Sequence, residues 1–115
     1  MKELQTTLPK PLRLVEKKEY SAALISAFII LETKLRDVLI KSDVDFEKSR
    51  LTFSESLYLA SRLNILSLKK ETIQELISYR NKLIHGHIKL EFNKTKEYVK
   101  LVMGIVSELE NVNRK

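Results

Sequence analysis

The segment from Tyr79 to His87 carries the residues best suited to chemistry. At about 100° per residue, Arg80 shares one helical face with an apolar set, which comprises Ile73, Leu76, Ile77, Leu83 and Ile84. A guanidinium does not lose its proton in such a setting, and an uncompensated buried charge costs about 3–5 kcal/mol. Arg80 therefore requires a carboxylate or a ligand phosphate as its partner.

His85 lies where the same helix is expected to end. Gly86 follows it, and glycine readily adopts the positive φ found at helix C-termini. Imidazole titrates nearest to neutrality among unperturbed side chains, so Arg80 and His85 form a candidate pair for binding a phosphate and transferring a proton. Asn81 stacks four residues before His85 on the flank of the helix.

The order Arg80, Asn81, three residues and His85 resembles the signature of the HEPN superfamily. This is a group of small helical domains that includes many metal-independent endoribonucleases. Two upstream segments, 19–23 (EYSAA) and 31–36 (LETKLR), resemble the second helix of such domains, so the resemblance covers most of the chain. It implies a HEPN-like helical bundle that acts on RNA, as a toxin or a defence effector.

The resemblance assigns roles to the motif residues. Arg80 would bind and polarise the scissile phosphate, and His85 would exchange a proton with the ribose 2′-hydroxyl or the leaving 5′-oxygen. Asn81 would hold the imidazole or contact phosphate through its amide. The reaction requires no metal and no cofactor, and it yields a 2′,3′-cyclic phosphate and a 5′-hydroxyl, so DNA should be inert.

Basic residues beside the motif are expected to contribute to RNA binding. Lys82 and Lys89 should remain in water and steer RNA without reading its sequence. His87 is either an auxiliary RNA contact or a solvated linker residue. Some toxin-like members of the superfamily carry a tyrosine at this position, where a nucleotidyltransferase antitoxin modifies it. An antitoxin or nucleotidyltransferase-like protein is thus a candidate partner, although His87 argues against that particular control.

A homodimer is the expected assembly. Arg80 and His85 lie about 140° apart around an ideal helix, so one copy encloses a phosphate poorly. Domains of the superfamily commonly dimerise with their motifs facing each other across a two-fold axis, which implies one composite cleft with an isologous interface.

Two alternatives stand beside the catalytic interpretation. Arg80 is either a purely structural partner of Glu32 from a facing helix, or a ligand-binding group that Glu32 orients. His85 at a helix C-terminus also interacts favourably with the helix dipole, by about 0.3–1 kcal/mol when exposed. At the level of function, the alternative is a noncatalytic HEPN-type dimeric module that binds RNA, a nucleotide or a protein partner.

Composition favours a single all-α domain over residues 1–115. The chain has 43% hydrophobic residues, two glycines, two prolines and no cysteine, which suits an up-and-down bundle of four or five helices and excludes disulfides and thiolate metal sites. His85 and His87 have no neighbouring acidic triplet, so no metal centre is expected. The formal charge of +6 favours encounter with polyanions, of which RNA is the leading candidate.

The most apolar run, 22–31, is shorter than the roughly 20 residues that cross a bilayer, and no secretory signal is visible. A cytoplasmic protein without a membrane partner is therefore expected.

Periodicity and capping signals predict the helices. Residues 1–10 form a lead-in segment and 112–115 a frayed tail. Between them, helices are predicted from Pro11 to Glu19, over 20–41, from Thr52 or Ser54 to Leu63, from Ser67 to His85 and over 96–111. The second helix should bury the largest apolar face, which consists of Leu24, Phe28, Leu31, Leu35, Val38 and Leu39. Ile25, Ile29 and Ile30 widen that face, and the additional apolar side could serve an intermolecular contact.

Overall fold

Five helices account for most of the described chain. The computed structural model describes residues 9–42, 51–86 and 88–113, without the side chains of 112 and 113. The helices are α1 (Lys10–Glu16), α2 (Tyr20–Lys41), α3 (Phe53–Arg62), α4 (Lys70–Ile84) and α5 (Phe92–Asn113). Within these ranges there is no strand, and the predicted all-α helical bundle is confirmed. Residues 1–8 of the predicted lead-in, His87 and residues 114–115 lie outside the described part. The helix α1 begins at Lys10, the last residue of the predicted lead-in, and α5 continues to Asn113, two residues into the predicted tail.

The central member of the bundle is α2. It packs against α1, α3 and α5, while α1 also packs against α5 and α3 packs against α4. Every residue of the predicted apolar face of α2 is buried, at 3% exposure or less. The core is continued by Val99, Val102, Ile105, Val106 and Leu109 of α5. Leu101 of the same helix is 37% exposed and is not part of this core.

Left-handed residues end three of the helices. Lys18, Asn64 and Gly86 have φ values of 64°, 60° and 70°. After α1, the Glu19 N–H donates to Leu14 O at 2.9 Å and the Lys18 N–H donates to Val15 O at 2.9 Å, the bond pattern of a Schellman motif. This motif ends α1 at Glu16, so the predicted continuation to Glu19 is wrong.

Another Schellman motif ends α3. There the Ile65 N–H donates to Ala60 O at 2.9 Å, and the Asn64 N–H donates to Ser61 O at 3.1 Å. A capping box between Thr52 and Glu55 starts the same helix. Both ends of α3 thus agree with the predicted helix.

The helices α4 and α5 do not begin at their predicted residues. The first residue of α4 is Lys70 instead of the predicted Ser67, because the Ser67 N–H donates to Glu108 Oε2 on α5 at 2.9 Å. The first residue of α5 is Phe92, four residues before the predicted start, and the Thr95 N–H already donates to Glu91 O at 2.9 Å. None of the helices in the described ranges combines the length and apolar character needed to cross a bilayer.

Candidate functional site

Arg80 of α4 and Glu32 of α2 form an ion pair with two hydrogen bonds. The Arg80 Nε–H donates to Glu32 Oε2 at 3.1 Å, and Nη2 donates to Glu32 Oε1 at 3.3 Å. The side chains are 25% and 37% exposed, so the pair lies at the edge of the core. The pairing expected from the sequence is therefore present, and it compensates the charge of Arg80 at the boundary of an apolar face.

An aromatic ring lies against the guanidinium of Arg80. Arg80 Cζ lies 4.9 Å from the centre of the Phe53 ring, within the range of a cation–π contact. Phe53 packs edge to face against Phe28 of α2, with ring centres 5.9 Å apart. The guanidinium is thus held by a carboxylate and a ring, and its remaining N–H groups have no hydrogen-bond partner among the described residues.

A small apolar pocket of about 140 Å³ adjoins the ion pair. Besides Arg80 and Glu32, it is lined by Ile25, Phe28, Ile29, Leu83 and Ile84. The three isoleucines are 49%, 57% and 59% exposed in that order, although isoleucine is usually buried. Arg80 therefore lies next to an exposed apolar surface.

His85 occupies the C-cap of α4. Its N–H donates to Asn81 O at 3.1 Å, and Gly86 follows in the left-handed conformation that was predicted for it. The imidazole is exposed and does not line the pocket beside Arg80. The pocket beside Arg80 is thus lined without His85.

Asn81 and Lys82 line a different surface. Together with Tyr58 of α3, they border a groove of about 420 Å³ between α3 and α4. Asn81 is exposed there and is joined to His85 through its backbone carbonyl.

Lys82 also borders a cleft of about 410 Å³ between α4, the 88–91 linker and the start of α5. Lys89 is exposed and lines this cleft, together with Lys94. Both lysines predicted to bind RNA, Lys82 and Lys89, therefore share one surface, on which Lys94 provides a third ammonium group.

Two stacked tyrosines line the cleft. The rings of Tyr79 and Tyr98 are 3.6 Å apart between centres and tilted by 10°, and the Tyr98 hydroxyl donates to Glu75 Oε1 at 2.6 Å. Burial, followed by the hydrogen bond and the charge of Glu75, raises the pKa of Tyr98 far above its usual range. Burial also raises the pKa of Tyr79. Both phenols therefore remain neutral near pH 7.

Sequence reasoning did not identify Phe53 or Lys94. Phe53 follows the Thr52 cap, and nothing in its local sequence indicates a contact with Arg80. A signal for Lys94 was present, because it precedes Tyr98 by four residues on one helix face, and its Nζ lies 5.6 Å from the centre of that ring. His87, the remaining predicted RNA contact, lies outside the described residues.

In the described ranges, no three histidine or acidic side chains are grouped so that they could hold a metal ion. Comparison with models of known protein families, with curated proteins and with solved structures finds no match.

Proposed function

We propose that the protein is a metal-independent endoribonuclease whose site is shared by two copies of the chain. The observation that carries the proposal is the setting of Arg80. Glu32 and Phe53 hold its guanidinium at the surface, and its other N–H groups are left for an anion. A preoriented arginine at the edge of a protein surface is suited to bind a phosphate and to stabilise charge that develops during its transfer.

The exposed apolar surface supports a shared site. Ile25, Ile29 and Ile84 adjoin Arg80, and their burial against a second copy would remove this surface from water. A two-fold axis near Arg80 would place both copies of α4 in one interface. His85 of one copy would then approach Arg80 of the other.

The proposed reaction uses the substrate's own hydroxyl. The 2′-oxygen bonds to phosphorus and the P–O5′ bond breaks, which leaves a 2′,3′-cyclic phosphate and a 5′-hydroxyl. Arg80 binds the phosphate oxygens. His85 accepts the 2′-hydroxyl proton or donates a proton to the 5′-oxygen, and water exchanges the other proton. The substrate class is RNA in the cytoplasm, and a role as a toxin or defence effector belongs to the same proposal.

One observation favours a second candidate function. Glu32 already neutralises Arg80 at two hydrogen bonds, as in a structural ion pair. In a noncatalytic dimeric module that holds RNA, a nucleotide or a protein partner, this ion pair would stabilise the fold and no residue would have to take part in a reaction. The two candidates differ in a single measurable property, the cleavage of RNA.

The test incubates wild-type protein and the His85→Ala variant with a labelled, structured RNA pool in excess EDTA. The endoribonuclease predicts cyclic-phosphate ends with wild type and none with His85→Ala. The binding module predicts that no preparation cleaves RNA. Cleavage that persists in an Arg80→Met, His85→Ala double variant would assign the activity to a contaminant and overturn the proposed site.

A further inference from the structure

The cleft and the groove described above join into one track along α4. Both surfaces are lined by Ser78 and Lys82. From this shared edge, the cleft continues to Lys89 and Lys94, and the groove continues to Tyr58 and Asn81. Volumes of about 410 and 420 Å³ thus lie side by side, which suits an extended chain better than a compact ligand.

The track lies on the side of α4 away from Arg80. Ser78 and Lys82 are each two residues from Arg80, so each is about 160° from it around the helix. The helix is about 10–12 Å across with its side chains. A phosphate at Arg80 and a strand in the track therefore lie on opposite sides of α4, about one helix diameter apart.

Charge at one end of the track favours phosphate groups. Lys82, Lys89 and Lys94 come from α4, the linker and α5, and within the described chain none of them forms a salt bridge. The nearby acid, Glu75, accepts the hydrogen bond of the neutral Tyr98 hydroxyl. Glu97 also acts on Tyr98 through its charge, so three ammonium groups face two carboxylates and leave an excess of positive charge.

The use of lysine in place of arginine indicates what kind of phosphate ligand the cleft recognises. Lysine is a flexible point charge, and it lacks the planar fork with which arginine recognises one phosphate in a fixed geometry. Exposed lysines on three separate elements suit successive phosphates of a backbone. At the other end of the track, the half-buried ring of Tyr58 is a candidate stacking partner for a base.

We propose that this track binds a single strand of RNA on the side of α4 opposite Arg80, without sequence readout. Lys82, Lys89 and Lys94 contact phosphates of this strand, and the groove at Tyr58 and Asn81 receives the adjacent nucleotides. The inference rests on the proposed function, since it assumes that RNA is the substrate. It adds the path of the strand and a third lysine, Lys94, that the motif does not contain.

The test measures binding apart from cleavage. A fluorescent RNA of about a dozen nucleotides, 2′-O-methylated throughout so that it cannot be cut, is titrated with protein at several salt concentrations. One variant carries Lys82→Gln, Lys89→Gln and Lys94→Gln. Each phosphate contact to a single strand contributes about 0.7 to the slope of log K against log salt. We expect the slope of this variant to be shallower by about 2.

A matched variant controls for net charge. It carries Lys17→Gln, Lys41→Gln and Lys100→Gln, which are also exposed and line neither the cleft nor the groove. If the track binds RNA, this control variant should keep most of the wild-type slope of log K against log salt. Equal loss of slope in both variants would show diffuse attraction and overturn the track, while RNA cleavage by wild type would leave the proposed function intact.

Two further outcomes would also overturn the inference. In the first, adenosine monophosphate binds wild type but not the Lys82, Lys89 and Lys94 triple variant, while that variant binds RNA as tightly as wild type. This result would assign the cleft to a free phosphorylated ligand. No binding of the RNA by wild type, despite cleavage of unmodified RNA, would also overturn the track. No binding together with no cleavage would remove the proposed function as well.

Discussion

The guanidinium of Arg80 donates two hydrogen bonds to the carboxylate of Glu32, and this pair joins α4 to α2 at the edge of the core. The N–O distance of 3.1 Å and the two-point geometry distinguish it from the other ion pairs of the described chain. Lys34 and Glu110, for example, are 3.8 Å apart, with side chains 33% and 46% exposed. The first pair should therefore be coupled and the second nearly independent.

A double-mutant cycle measures this difference. Arg80→Met, Glu32→Gln and the double variant should give a coupling free energy of about 1–2 kcal/mol in urea unfolding, between the values for exposed and buried pairs. The same cycle with Lys34→Met and Glu110→Gln should give about 0–1 kcal/mol. Equal coupling in the two cycles would contradict the idea that Glu32 holds Arg80 in place.

The apolar surface beside Arg80 makes a prediction about assembly. Ile29→Lys places a charge among residues proposed to face a second copy, so we expect monomers in light scattering and loss of RNA cleavage. Ile40→Lys is the matched control on the same helix, because Ile40 is 48% exposed and does not line the pocket. It should stay dimeric. A wild-type monomer, or a dimer that survives Ile29→Lys unchanged, would contradict the shared site.

Thr95 is a buried residue with an unsatisfied hydroxyl. It is fully buried, and its Oγ1 has no hydrogen-bond partner among the described residues. Because an unpaired buried polar group costs about 1–3 kcal/mol, Thr95→Val should raise the free energy of unfolding by about 1 kcal/mol. Thr33→Val, at an exposed site of α2, should change it by no more than about 0.5 kcal/mol. A destabilised Thr95→Val protein would indicate that the hydroxyl has a partner in solution.

The buried Tyr98 phenol links stability to alkaline pH. Its pKa is raised in the folded protein, by burial first and by Glu75 second, whereas the unfolded chain ionises near its ordinary value of about 10. Above that pH the folded state holds more protons than the unfolded state, so stability falls as pH rises. Tyr98→Phe should show a shallower decline between pH 9 and pH 11 in urea unfolding. Equal slopes in the two proteins would contradict this linkage.

The sequence predicted the helices where local signals were complete. Residues 20–41 form α2 as predicted, because apolar residues recur with the helical period along the whole segment. Thr52 likewise starts α3 as predicted, through its capping box with Glu55. The start of α4 could not be read locally. Its delay depends on a bond from Ser67 to Glu108, 41 positions along the chain.

The candidate site was predictable to a similar extent. An arginine on an apolar face requires a carboxylate or a ligand phosphate, and Glu32 at the edge of the facing helix was the carboxylate expected for Arg80. The stack of Tyr79 on Tyr98 and the contact of Arg80 with Phe53 depend on how helices cross. No spacing within one segment contains that information.

The central claim is a ribonuclease site composed of residues from two copies. The measurement that tests it most directly is cleavage by mixed variants. Arg80→Met and His85→Ala proteins are each checked for folding, unfolded and refolded together to exchange subunits, and assayed with RNA in EDTA.

Each variant alone should be inactive, and the mixture should regain activity, since half of its dimers contain an intact Arg80 facing an intact His85. An inactive mixture beside an active wild-type protein treated in the same way would contradict the composite site.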